Sequence, residues 1–191
     1  MNRRQALQAG LLAAPLLLPA CDWFNGSAQW EEEVQLSDGR VVVVAVKVQY
    51  ATIGEVGGPS TRVRRQTTVR IKPGQGLPDT AWSEDLAAVL LDFDSVANEL
   101  VLVATIVVCE QWERWGRPRP AYIEFRSRGG KWRHQTPFTQ ALFDRQVNLL
   151  QTWAAQTRGS YVTLAQKRGL DSDIGIASNF KRIVRNYGTS C

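Results

Sequence analysis

Beyond residue 28, apolar and polar side chains alternate over long stretches. In RVVVVAVKVQY, Val44, Val46, Val48 and Tyr50 alternate with Ala45, Lys47 and Gln49, the period of a strand with one buried and one wet face. The preceding AQWEEEVQLSDG is also strand-like, and Asp38-Gly39 supplies a hairpin turn. After a Gly/Pro/Ser loop at 51–62, a third strand sets Val63, Thr67, Val69 and Ile71 on one face. Arg65 interrupts that face, and Arg64, Gln66, Thr68 and Arg70 occupy the other. KPGQGLPDT is a second loop, where Pro and Gly stop the ladder.

Residues 87–94, AAVLLDFD, predict a strand and SVAN a turn. From Leu100 to Val108 the chain is apolar without alternation apart from Thr105, as in a strand buried on both faces. Its Val and Ile content favours strand over helix. RWGRPRP reads as a rigid loop, and AYIEFRSRGGKWRHQTP as a hairpin turning at Gly129-Gly130.

From about residue 138 the period changes. Leu142, Val147, Leu150, Trp153 and Leu164 show amphipathic helical spacing over 139–169, broken around Gly159. The last stretch, NFKRIVRNYGTSC, is a short helix or an extended return. The pattern predicts an α+β domain: a mostly antiparallel sheet of about six to eight strands in hairpins, followed by C-terminal helices. An all-β sandwich or barrel is the alternative.

The first 20 residues read differently. Arg3 and Arg4 precede an apolar run, Ala6 to Leu18, that is short of the roughly 20 residues a membrane span needs. It fits a cleaved secretory signal. Leu18-Pro19-Ala20-Cys21 resembles the lipobox of bacterial lipoproteins, with Pro19 a departure from the commonest pattern. The resemblance implies a diacylglycerol on the Cys21 thiol, cleavage just before Cys21, acylation of the new amino terminus with palmitate-like chains, and a tether over residues 21–27. An ordinary secreted protein with Cys21 in a disulfide is the other reading. Arg3-Arg4-Gln5-Ala6-Leu7 resembles a twin-arginine signal, leaving the export route open between that and the general pathway. Asp22 resembles an inner-membrane retention residue, which leaves inner and outer membrane both open.

Composition narrows the chemistry. Removing the leader takes two arginines and no acids, so the formal charge falls from +5 to +3, and a nucleic-acid partner is not expected. With Cys21 acylated, Cys109 and Cys191 remain, and an oxidising compartment predicts their disulfide. His134 is the single histidine, which argues against a His-based metal site, and no cofactor is expected.

Charge is segregated along the chain. Arg62 to Lys72 carries five bases and no acid, and Pro73 to Glu113 eight acids and no base. Arg114 to Arg133 carries seven bases against Glu124 alone. Cross-strand pairing of these blocks is one reading. A basic surface of Arg114, Arg117, Arg119 and Arg126 meeting an anionic envelope component is the other.

Among candidate constellations, Asp92-Phe93-Asp94 sets two carboxylates on one strand face, suited to acid–base work if their environments differ or to calcium binding, with a strand end of solvated acids as the other reading. Asp171-Ser172-Asp173 reads as a helix-capping turn. His134 has no nucleophile elbow to serve, and Cys109 lies in an apolar run that keeps a thiol inert.

CEQWERWGRPRPAYIEF is the most distinctive stretch. Trp112, Trp115, Arg117 and Arg119 combine the residue types that dominate binding hot spots, so they form the candidate contact surface. The same tryptophans could instead cap the core with arginines stacked on them. Trp30-Glu31 through Asp38-Gly39-Arg40, Trp115-Gly116-Arg117-Pro118 through Tyr122-Ile123-Glu124-Phe125, and Gly130-Lys131-Trp132 resemble a family of small uncharacterised proteobacterial proteins, several of them lipoprotein candidates. The similarity covers roughly residues 28–150; the longer C-terminal end, including Cys191, departs from it. The resemblance implies no activity.

These readings converge on a single domain, 28–191, held at the membrane by a lipid anchor and facing the periplasm. It is expected to bind or support an assembly, with an envelope protein or anionic envelope polymer as partner. A periplasmic hydrolase using carboxylates and a polysaccharide- or peptidoglycan-binding module presenting Trp112 and Trp115 are the alternatives.

Overall fold

The computed structural model describes residues 26–54, 61–150, 160–169, 181–188 and 191. Residues 1–25, with the expected signal and Cys21, and Trp153, Gly159 and Asp171–Asp173 lie outside them. In chain order the strands are β1 (Ser27–Gln35), β2 (Val41–Ile53), β3 (Thr61–Ile71), β4 (Ala81–Glu84), β5 (Ala87–Asp94), β6 (Glu99–Thr105), β7 (Tyr122–Arg128), β8 (Lys131–Gln135) and β9 (Tyr161–Val162). Helix α1 (Cys109–Arg114) separates β6 from β7, and α2 (Leu164–Gly169) comes after β9.

The strands form two sheets, ordered β4-β3-β2-β1-β9 and β5-β6-β7-β8. All pairings are antiparallel except β1 with β9. The expected first hairpin is present: Ser27 faces Gln49, Gln35 faces Val41, and Gly39 takes φ 87° at the turn. That left-handed conformation is one a side chain resists. In the β2–β3 ladder, Gln49 faces Gln66 and Tyr50 faces Arg64, so Arg65 is the extra residue of a β-bulge. The bulge is why Arg65 breaks the alternation.

One core lies between the sheets. Trp30, Val34, Val44, Val46, Val69, Ile71 and Trp82 of the first sheet meet Leu91, Leu100, Leu102, Ile123 and Phe125 of the second. The second sheet also buries its other face. Leu90, Val101, Val103 and Tyr122 lie there under Leu142, Phe143 and Ile183. The apolar run of β6 therefore has the two-sided burial its sequence predicts.

Two expectations are corrected. The chain is mostly β, and the C-terminal helices are not found among the described residues beyond the short α2 and a 3-10 turn at Gln140–Leu142. The helical spacing over 139–150 comes from apolar side chains with two destinations. Leu142 and Phe143 cover the second sheet, whereas Leu149 and Leu150 enter the core between the sheets. The chain crosses between them extended, paired with the final segment through Asp144 N to Ile183 O at 2.8 Å and Ile183 N to Arg145 O at 3.0 Å. In addition, the strand expected to run to Val108 ends at Thr105, and Cys109 opens α1 rather than standing in a strand.

The edge of β5 is closed by a side chain. Asn148 accepts from Leu91 N at 2.8 Å through Oδ1 and donates to Leu91 O at 2.7 Å through Nδ2. The carboxamide thus presents to β5 the donor and acceptor that a neighbouring strand would.

Candidate functional site

A helix of six residues does not hold itself together in water. α1 is held by Gln111, which is buried. Its Oε1 accepts from Val107 N at 3.0 Å and Val108 N at 3.4 Å, while its Nε2 donates to Asp85 O at 2.7 Å. The helix is thus nailed to the β4–β5 turn by one amide side chain. Cys109, at its first position, is paired with Cys191, their Cα atoms 5.5 Å apart, and both residues are exposed.

The candidate residues fall into two groups. Trp112 and Trp115 are half-buried against the inter-sheet core. Trp115 meets Phe125 edge-on at 5.6 Å and His134 at 5.4 Å, and its indole nitrogen is buried without a hydrogen-bond partner, so the ring serves as apolar surface. Trp112 donates from Nε1 to Pro118 O at 3.3 Å. Arg117 and Arg119 are exposed, with guanidiniums 5.7 and 6.0 Å from the Trp112 ring.

The segment is folded back rather than extended. Gly116 and Arg117 take φ 78° and 56°, and Arg117 N donates to Trp112 O at 2.8 Å. The rigid loop read from RWGRPRP thus begins as the turn that closes α1. Arg117 also pairs with Glu113 at 2.6 Å. Arg119 and Trp112 stand beside it, so these three form one surface, and Trp115 lies behind it as packing.

The broader basic surface does not assemble. Arg114 is paired with Asp85. Arg126 is bound to Glu124 at 2.8 Å and Asp94 at 2.9 Å and approaches Glu99 at 3.6 Å. Glu124, 1% exposed, also accepts from Thr139 N at 2.8 Å. The acidic and basic blocks of the sequence meet in these contacts.

Asp92 and Asp94 do share a face of β5, but each is separately engaged. Asp92 accepts from Ser37 N at 2.8 Å and pairs with Arg145. Asp94 accepts from Ala97 N at 3.0 Å and Val96 N at 3.1 Å besides Arg126. Those backbone donors and the guanidinium hold the Asp94 carboxyl below the usual carboxylate range. A general acid needs the opposite. Among the described residues no group of three His, Cys, Asp or Glu side chains is placed to hold a metal ion.

Two clefts flank these networks. One, of about 550 Å³, lies between α1 and β3 and is lined by Arg64, Arg65, Glu84, Glu110 and Trp115 among others. Burial pushes Arg64 down and the Glu84 carboxyl up, the latter against the opposing charge of Arg114. The other, of about 410 Å³, opens beside Asp92, Arg145, Asn148 and Lys167.

Lys167 and the fully buried Glu32 were not singled out by sequence reasoning. Glu32 accepts from Trp30 Nε1 at 2.9 Å and Leu150 N at 3.1 Å and pairs with Lys167, which also donates to Asn148 O at 2.7 Å. Its signal was available: Trp30, Glu32 and Val34 share the inward face of β1, so one glutamate of the triplet had to point into the core.

No protein-family model, curated protein or solved structure matches this chain. The family resemblance therefore stands on its motifs alone.

Proposed function

We propose that this chain is a lipid-anchored cell-envelope protein, acylated at Cys21, whose domain faces the periplasm and acts by binding or supporting an assembly. The observation that carries the reading is the Cys109–Cys191 pair at an exposed site. Such a disulfide persists in an oxidising compartment and is rare in the cytosol, which agrees with the lipobox-like Leu18-Pro19-Ala20-Cys21. The binding surface is Trp112, Arg117 and Arg119, prefixed by the α1 turn so that little ordering entropy is lost on contact. Its partner is an anionic envelope protein or polymer, whose carboxylates or phosphates gain charge-assisted hydrogen bonds from the guanidiniums.

Two variants test the two halves. Cys21→Ser is expected to yield uncleaved precursor or soluble periplasmic protein; processed protein that stays with membranes through high-salt washing defeats the anchor. Arg117→Ala with Arg119→Ala is expected to melt within about 2 °C of the wild type while losing its cross-linked envelope partner. An early-melting variant with its partner retained makes the segment a lid on the core.

A further inference from the structure

One end of the sandwich lies beside the point where the chain enters it. Across the first sheet Ala28 faces Val48, Val48 faces Thr67 and Thr67 faces Glu84. Only Asp85 and Leu86 separate β4 from β5, so Ala87 opens the second sheet at this same end, level with Thr105 and Tyr122. The arms of the β2–β3 hairpin, α1 and the surface of Trp112, Arg117 and Arg119 therefore share one end of the domain with Gly26. The Asp38-Gly39 and Gly129-Gly130 turns and Val96 lie at the other, about 25 Å away along β5.

Charge does not choose what the Gly26 end meets, since Glu84 and Glu110 stand there with Arg62 and Arg65. The chain leading to it does. Gly26 follows Cys21 by five residues, so an acylated Cys21 holds it within about 18 Å of the bilayer surface. Trp23 and Phe24 are residue types that settle at the membrane interface, and Gly26 is within about 7 Å of Phe24 along the chain. Gly26 is itself fixed to the domain. Its carbonyl accepts from Tyr50 N at 2.9 Å, and a side chain there would collide with the Arg62 guanidinium. β2 runs on past Tyr50 to the exposed Ile53, so the hairpin reaches about 10 Å beyond the root of the tether.

We infer that the domain stands on the bilayer on this end, with Ile53 and Arg62 at headgroup level and the strands running away from the membrane. This rests on the lipid-anchor reading and deepens it: the partner met by Trp112, Arg117 and Arg119 must itself lie at the membrane surface.

The test is fluorescence quenching in nanodiscs of phosphatidylethanolamine and phosphatidylglycerol that carry headgroup-nitroxide lipids. The protein is the processed chain, expressed with its leader. Acylated Cys21 and the Cys109–Cys191 pair leave no other thiol, so a single introduced cysteine takes the dye. Ile53→Cys, Lys47→Cys and Val96→Cys put it at exposed sites on the tether end, the outer face of the first sheet and the far end. The dye is expected to lose most of its fluorescence at the Ile53 site and little at the other two. Equal loss at the Lys47 site lays the domain on its sheet, equal loss at the Val96 site means that it tumbles, and no loss anywhere means that it stands clear. Each of these overturns the proposal and leaves the anchor intact. An amino-terminal peptide whose mass lacks acyl chains overturns the anchor and the proposal together.

Discussion

The sheet containing β1 to β4 leaves its outer face wet, with Gln29, Lys47 and Arg70 exposed on three neighbouring strands. The sheet containing β5 to β8 buries the corresponding face under Leu142, Phe143 and Ile183. Apart from the parallel β1–β9 pair, both sheets are antiparallel meanders, and both serve the same core. The difference lies in how many apolar faces each must cover. The first sheet's strands alternate and need one apolar neighbour, whereas β5 and β6 are apolar on both sides and cannot be satisfied until the C-terminal segments arrive. A sheet of the second kind stakes its stability on chain that is distant in sequence.

The sharpest test is at the seam where the C-terminal chain joins the first sheet. Glu32→Ala leaves Lys167 buried without its counter-charge and removes the acceptor from Trp30 Nε1 and Leu150 N. Breaking a buried pair this way costs about 3–5 kcal/mol, measurable by urea unfolding. Replacing both partners with Glu32→Leu and Lys167→Met should cost less than Glu32→Ala alone, since no unpaired charge remains. A single-mutant loss below about 1 kcal/mol would show that the pair does not fasten the seam.

The contrast between the outer faces is read next. Ile183, fully buried over the second sheet, should cost about 3 kcal/mol as Ile183→Ala. Lys47→Ala, on the bare face of the first, should stay within about 0.5 kcal/mol. Equal losses at the two positions would erase the distinction.

The smallest effect is one of pH. Asp94, at the rim of the covered face, has its carboxyl held below the ordinary range by Ala97 N, Arg126 and Val96 N. A lowered folded-state pKa means the unfolded chain takes up the proton first. The stabilisation is therefore complete above about pH 4 and is lost as pH falls through the lower folded value. Melting temperatures of Asp94→Asn should fall less steeply than those of the wild type over that acid interval. Parallel curves would assign the acid sensitivity elsewhere.

Much of the sheet structure was legible because period-two alternation is a local signal. The Asp38-Gly39 and Gly129-Gly130 turns and the two-sided burial of β6 were readable from short windows. The segment from 139 to 150 was not, because its apolar residues are divided between two surfaces, and a helical period is one accidental result of that division. Cys109 reads as a strand residue because its neighbours are apolar; the cue that a helix starts there, Gln111 reaching back to Val107 and Val108, depends on the distant Asp85 carbonyl. At the candidate surface, residue types identified Trp112, Trp115, Arg117 and Arg119. Which of them face outward depended on Phe125 and His134, on strands the sequence does not tie to α1.

The link between Cys109 and Cys191 also has a mechanical consequence. Force entering at Gly26 and leaving at Cys191 passes from Cys109 across the sulfurs, bypassing the chain between them, a sequence separation of 82. β7, β8, β9 and α2 then carry no tension through their backbones, while β1 to β6 lie directly on the stretched path. Pulled from its two ends, the oxidised chain should lengthen only by what its first half can release, and reduction should add a second, later extension.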